Sequence, residues 1–300
     1  MSDTPDLSIG RRGGSAVAQS VEFDGIRATF VVDGVLITRP EIFFPTAPAE
    51  YFEDSLTATG ELAVGVGGLL VQTPDDTILI DAGVGVMRGD FVFGHADCGT
   101  LLDVLDALDV GVGDIDVVAF THLHFDHAGW AYINGLKTFP IARYVLSAQE
   151  WAPHSHQESG DDGAVAGQIV EQLAAHGDAE FIADGAAVAY GVRAVVTGGH
   201  TPGHTAYVVT SPAGNRLVAF GDAFHNPVQI THPELLSAAD SDAAGVFSAR
   251  QRLLAELSVP HTIGFGIHFG DRSFGRVVTT ADGRAEWDPV PTSVPTTSGG

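Results

Sequence analysis

Thr121-His122-Leu123-His124-Phe125-Asp126-His127 decides how this chain reads. Four ligand-type side chains fall between His122 and His127, directly after the largely apolar run Asp116–Phe120. That run is short and β-branched, so it predicts a strand. In extended backbone, residues i and i+2 point the same way, so His122 and His124 can grip one ion. A turn after Phe125 would aim Asp126 and His127 at a second position close by. Imidazole nitrogen and carboxylate oxygen suit zinc, and also iron or manganese. A lone histidine is usually a surface residue; four donors at this spacing after an apolar strand are not.

Three further candidates lie downstream. The turn Thr197-Gly198-Gly199-His200-Thr201-Pro202-Gly203-His204 carries two histidines, Gly221-Asp222 follows an apolar run, and His268 closes another. Each alone is weak, since a Gly-Asp is usually a turn and a strand-end histidine is usually structural. Strands are expected at Thr77–Ile80, Asp116–Phe120, Tyr144–Ser147, Tyr207–Thr210, Leu217–Phe220 and Thr262–Ile267. Apolar residues repeat at helical spacing at Leu101, Val104, Leu105 and Leu108. They do so again at Val165, Ile169, Val170 and Leu173, and at Val246, Phe247, Leu253, Leu254 and Leu257. The mixture is α/β, and periodicity alone does not choose among α/β folds.

Composition narrows the partners. The chain has 300 residues, 45% of them hydrophobic, with 38 acidic and 14 basic side chains and a net charge of −24. Lys137 is the sole lysine. Such a charge repels nucleic-acid backbones and anionic membranes. No run reaches the ~20 apolar residues of a bilayer span. Arg11-Arg12 precedes no apolar run, so a cytoplasmic protein is expected. Cys98 stands alone, so neither a disulfide framework nor a cysteine-based zinc cluster is expected. Residues 1–20 and 289–300 read as flexible tails around a single catalytic domain at 21–288.

With these residues in hand, the chain resembles the metallo-β-lactamase-fold hydrolase superfamily over roughly Gly60 to Val278. Thr77-Ile78-Leu79-Ile80-Asp81-Ala82-Gly83 is similar to its strand-ending element, and His122-x-His124-x-Asp126-His127 to its signature. His200, Asp222 and His268 match the later ligands in order. The resemblance implies a four-layer αββα sandwich with two mixed sheets packed face to face. It implies two divalent metal ions, zinc foremost, with iron, manganese or cobalt also accepted. His122, His124 and His200 would hold one ion and Asp126, His127 and His268 the other, with Asp222 between them. His204 would be a structural neighbour, and Asp81 would orient ligands.

The implied reaction is attack by a metal-bridging hydroxide on a lactone or ester carbonyl. Asp126 or His225 would protonate the leaving group. Related acyl-homoserine lactonases carry a tyrosine where His225 stands, so their leaving-group chemistry does not transfer directly. Zinc β-lactamases proper use a cysteine ligand, and Cys98 is near no motif. A glutathione thioesterase would want a basic C-terminal lobe, and no lysine follows Asp222. An RNA-processing member would want a nuclease insertion, and a flavodiiron protein a flavin domain. A neutral or hydrophobic ester or lactone remains, in the branch of N-acyl-homoserine lactonases and methyl-parathion-type hydrolases. The stretches Asp222–Gln229, Thr231–Glu234 and His268–Gly270 look typical of that branch. Alternatives are a phosphotriesterase on the same site and a mononuclear-iron dioxygenase of the same fold. Homodimers are common among relatives. The aromatics at Arg39–Pro45 and Tyr51-Phe52 could line a pocket mouth or pack on the core. Phe125 and Trp130 could wall the pocket or pack beneath it.

Overall fold

A computed structural model describes residues 17–154, 164–177 and 179–294. Two large sheets dominate it. The first runs, in spatial order, Ala179–Ile182, Arg143–Ser147, Val117–Ala119, Thr77–Ile80, Leu62–Gln72, Ile26–Thr38, Gly94–Cys98 and Met87–Phe91. Gln19–Phe23 pairs with Ile26–Thr38 beside this path. The second runs Ala187–Ala189, Val192–Val196, Thr205–Thr210, Arg216–Ala219, Thr262–Phe265, Phe274–Thr279 and Ala285–Pro289. Both mix parallel and antiparallel pairs, such as Thr77–Ile80 with Val117–Ala119 parallel and with Leu62–Gln72 antiparallel.

Side-chain alternation along these strands builds the layers. Ile78 and Ile80 face the core between the sheets, where they meet Tyr207, Val209, Leu217 and Phe265 of the opposite sheet. Leu79, pointing the other way, packs with Leu101, Leu105, Ile169 and Leu173 of helices Leu101–Ala107 and Ala164–His176. Val208 and Val218 pack outward against Leu253 and Leu257 of helix Ala243–Leu257. Burial on both faces explains why these strands read as continuous apolar runs. The expected αββα sandwich is present.

The expected elements recur with edges shifted by a few residues; Thr262–Phe265, for instance, stops before Ile267. Of the expected tails, residues 1–16 and 295–300 lie outside the described residues. At their inner edges Gln19 and Ser20 already belong to a strand, and Ser20 and Ser293 exchange backbone hydrogen bonds. Among the described residues, no helix is long and apolar enough to cross a membrane.

Candidate metal centre

The expected ligands all come from the ends of strands at one rim of the two sheets. Strand Val117–Ala119 delivers the chain into Thr121 and His122. The short helix Phe125–Ala128 then turns Asp126 and His127 inward. His200 sits in the turn before strand Thr205–Thr210, Asp222 follows Arg216–Ala219, and His268 follows Thr262–Phe265. Gly221 takes a left-handed φ of 50°, and a Cβ there would lie 2.7 Å from His204 Nε2. Only glycine allows the sharp turn that aims Asp222 into the centre.

Two clusters result, with ligand atoms within 4.8 Å of one another: His122, His124, His200 and Asp222, and Asp126, His127 and His268. Asp222 lies between them. Its Oδ1 is 2.8 Å from His268 Nε2 and 3.0 Å from His127 Nε2. Its Oδ2 is 3.2 Å from His200 Nε2 and 3.7 Å from His122 Nε2. A third cluster, His200, His225 and Asp240, shares His200, whose Nδ1 is already 3.0 Å from an Asp240 oxygen. All these side chains except that of His124 are largely buried.

The residues fit divalent cations. His122 Nε2, His127 Nε2 and Asp222 Oδ1 are buried without a hydrogen-bond partner, although Asp222 Oδ1 and His127 Nε2 are 3.0 Å apart. The two atoms sit at contact distance without forming a hydrogen bond. Orphaned buried polar atoms cost about 1–3 kcal/mol each, and three of them spread over the two clusters fit sites for cations. The charge balance agrees. Burial alone would lower His200, but Asp222 and Asp240 raise it to about 9. His127 is likewise raised by Asp222, Asp81 and Asp126 against its burial. The carboxylates draw positive charge inward, and metal binding would release those protons. Burial, and then His127 and His124, hold His122 well below its usual range, in the neutral form a metal needs.

Other groups fix the ligands. Asp81 has φ of 63°, a strained region for a residue other than glycine. It accepts from Thr121 N at 2.8 Å and pairs with His127 Nδ1 at 2.8 Å, as expected for an orienting residue. His204 faces away: its Nδ1 pairs with Thr197 Oγ1 at 2.8 Å and its Nε2 accepts the Asp222 amide at 2.9 Å. Glu150, Asp240 and Asp33 belong to no sequence motif yet brace the site. Glu150 accepts from Leu123 N, Gly203 N and Thr201 Oγ1 at 3.0, 3.1 and 2.7 Å, tying the two ligand-bearing loops together. Asp33 accepts from the amides of Val84, Gly85 and Leu101 and from Trp130 Nε1.

An adjoining cavity of about 300 Å³ is lined by Phe43, Phe91, Phe93, Phe125, Leu36 and Val64, and by His225, Asp126 and Asp222. His225 is therefore at the site rather than in a remote loop. Its Nε2 is 3.2 Å from Asp222 Oδ2, neither ring nitrogen has a hydrogen-bond partner, and Phe43 packs edge-on at 5.2 Å. The early aromatics divide. Phe43 lines the cavity, Phe44 and Phe52 stack in the core at 4.9 Å, and Tyr51 stacks on His232. Trp130 packs beneath the site and Phe125 walls it. A shallower depression of about 600 Å³ lies outside the site, where Arg252 and Asp184 pair with each other.

Residues 68–266 match the model of the metallo-beta-lactamase superfamily. The chain belongs to this superfamily. An N-acyl homoserine lactonase of Bacillus thuringiensis is 24% identical over 184 residues, 57% of this chain and 68% of that protein. The transcription termination factor FttA of Methanocaldococcus jannaschii is 40% identical over 77 residues, and the match spans 10% of its length. Among solved structures, AidC, a dizinc quorum-quenching lactonase in complex with a product, superposes with a TM-score of 0.79 at 21% identity. The superposition covers 93% of this chain and 99% of AidC. At that identity the likeness to AidC is one of fold.

Proposed function

We propose that this chain is a dinuclear metal-dependent hydrolase that opens a neutral, apolar lactone or ester. Superfamily membership and its lactonase relatives support a metal-dependent hydrolase. The two-sided contacts of Asp222, one oxygen toward each histidine cluster, carry the dinuclear reading. His122, His124 and His200 would hold one ion, Asp126, His127 and His268 the other, with Asp222 shared. Two zinc ions bound there would supply an activated water and polarise the carbonyl it attacks.

The protein's own groups do the rest. The phenylalanine-lined cavity takes the apolar part of the substrate and keeps bulk water out. Among the described residues no lysine or arginine lines it, which favours an uncharged substrate. Asp126 Oδ2 lies 3.7 and 3.8 Å from His127 and His268 Nε2 and is engaged in the ligand set. His225 has no hydrogen-bond partner on either ring nitrogen and lines the cavity, so it is the better placed to give a proton to the departing oxygen.

The deciding experiment measures metal content alongside turnover of a panel of lactones, aryl esters and phosphotriesters. Two equivalents of metal, loss of turnover with chelator and a preference for lactones are expected. One iron with oxygen uptake would sink the hydrolase, and an Asp222→Ala variant with unchanged turnover would remove the shared ligand.

A further inference from the structure

The histidines of the centre differ in what stands behind them. His122 Nδ1 meets the Thr121 hydroxyl at 3.0 Å, and His268 Nδ1 donates to the Gly65 carbonyl at 2.8 Å. His127 and His200 are backed by carboxylates, Asp81 and Asp240. Asp81 closes a strand in a recognisable motif. Asp240 belongs to no motif and sits in the long connection between Asp222 and helix Ala243–Leu257.

Asp240 is held on both sides. Its Oδ1 pairs with His200 Nδ1 at 3.0 Å, and its Oδ2 accepts the Ser237 amide at 2.8 Å and faces Arg250 Nη2 at 3.5 Å. Arg250 is wholly buried. Its remaining nitrogens donate to the carbonyls of Ala223 at 2.6 Å, Pro233 at 3.0 Å and Leu235. One guanidinium thus reaches from the residue after Asp222 to the carboxylate behind His200. Burying a cation this deeply costs several kcal/mol unless its donors are used, and here all three guanidinium nitrogens meet an acceptor.

We infer that Asp240, locked by Arg250, is a positioning residue that sets how tightly His122, His124 and His200 retain their ion. The inference rests on the dinuclear reading above. With Nδ1–H given to Asp240, His200 presents Nε2 as a lone pair toward the centre, where it lies 3.2 Å from Asp222 Oδ2. A carboxylate behind an imidazole fixes its tautomer and makes it a stronger donor. Arg250 grips the same connection that carries His225 and Ala239 into the cavity wall, so the ligand and the wall form one unit.

The test titrates a chelator against full-length protein loaded with cobalt(II), following the visible spectrum and bound equivalents. Wild type, Asp240→Ala, Asp240→Asn and Arg250→Lys are compared. Wild type is expected to hold two equivalents. Asp240→Ala should give up one of them at about 10–100-fold weaker affinity and leave the other unchanged. Asp240→Asn keeps an acceptor but not the charge and should fall between. Arg250→Lys should loosen the same equivalent. Two equivalents at wild-type affinity in Asp240→Ala, or equal weakening of both, overturns the inference. If Asp240→Ala does not fold, wild-type retention in Asp240→Asn overturns it instead. A wild type that binds no metal fails the dinuclear reading itself, a distinct result.

Discussion

Replacing Glu150 with alanine should loosen the whole centre without touching a ligand. Glu150 is 3% exposed and spans two loops that lie far apart in sequence. One loop carries His122 to His127, the other His200 and His204. Truncation leaves the buried amides of Leu123 and Gly203 without an acceptor, while the Thr201 hydroxyl can rotate elsewhere. Each orphaned buried amide costs about 1–3 kcal/mol, so the pair costs roughly 2–6 kcal/mol. A central loss of ~4 kcal/mol corresponds to roughly 6–8 °C in melting temperature for a domain of this size. Glu150→Gln should lose about half as much, because one acceptor survives and the new NH2 group opposes an amide. The assay is thermal and urea unfolding of chelator-treated protein, so that metal linkage does not enter. A metal-free Glu150→Ala protein within ~0.5 kcal/mol of wild type, the range of ordinary surface substitutions, would refute the reasoning.

Other outcomes are expected as well. Trp130→Phe removes the 2.8 Å hydrogen bond to the buried Asp33 carboxylate and should lower stability by about 1.5–3 kcal/mol, read as a shift of the urea midpoint; an unmoved midpoint would count against it. Stripping metal should lower the melting temperature, since an ion at ~1,000 times its Kd adds about 4 kcal/mol; calorimetry with and without chelator checks this. Against partial burial, Arg193 and Arg216 hold Glu256 below its usual value of 4.5. The stabilisation from that group is therefore complete above about pH 4.5 and lost as pH falls through the lower folded value. Glu256→Gln should cost more at pH 7 than at pH 3, measured by melting at both. Phe43→Ala opens the cavity wall beside His225 and should raise KM for apolar substrates more than it lowers kcat.

The sequence carried much of this, unevenly. Strands such as Thr77–Ile80 were legible because burial on both faces leaves an unbroken apolar run. The long antiparallel pair Ile26–Thr38 and Leu62–Gln72 was not, because Asp33, Gly34, Gly65, Gly67 and Gly68 look like breakers. The structure explains them. A Cβ on Gly67 would lie 2.1 Å from the Val31 carbonyl, and the ladder shifts register between Val32 and Gly34, beside the buried Asp33. All seven expected ligand side chains fall in the clusters, and each was legible from a motif or from the strand beside it. Glu150 and Asp240 had no local signal of their roles, since the partners of Glu150 lie 27 to 53 residues away and the histidine behind which Asp240 stands lies 40 away. Only the three-dimensional meeting of loops gives a lone acidic residue such a role.

The ligands also divide between the sheets. His122, His124, Asp126 and His127 follow a strand of the first sheet, while His200, Asp222 and His268 are carried by the second. Two ions shared across that divide would act as the chain's cross-links, the office disulfides fill elsewhere, in a protein whose single cysteine can form none within the chain. Neither half-set is complete alone, so metal would enter late in folding, once the halves have docked. Endurance against heat would then depend on the parting of the sheets as well as on the affinity of each cluster.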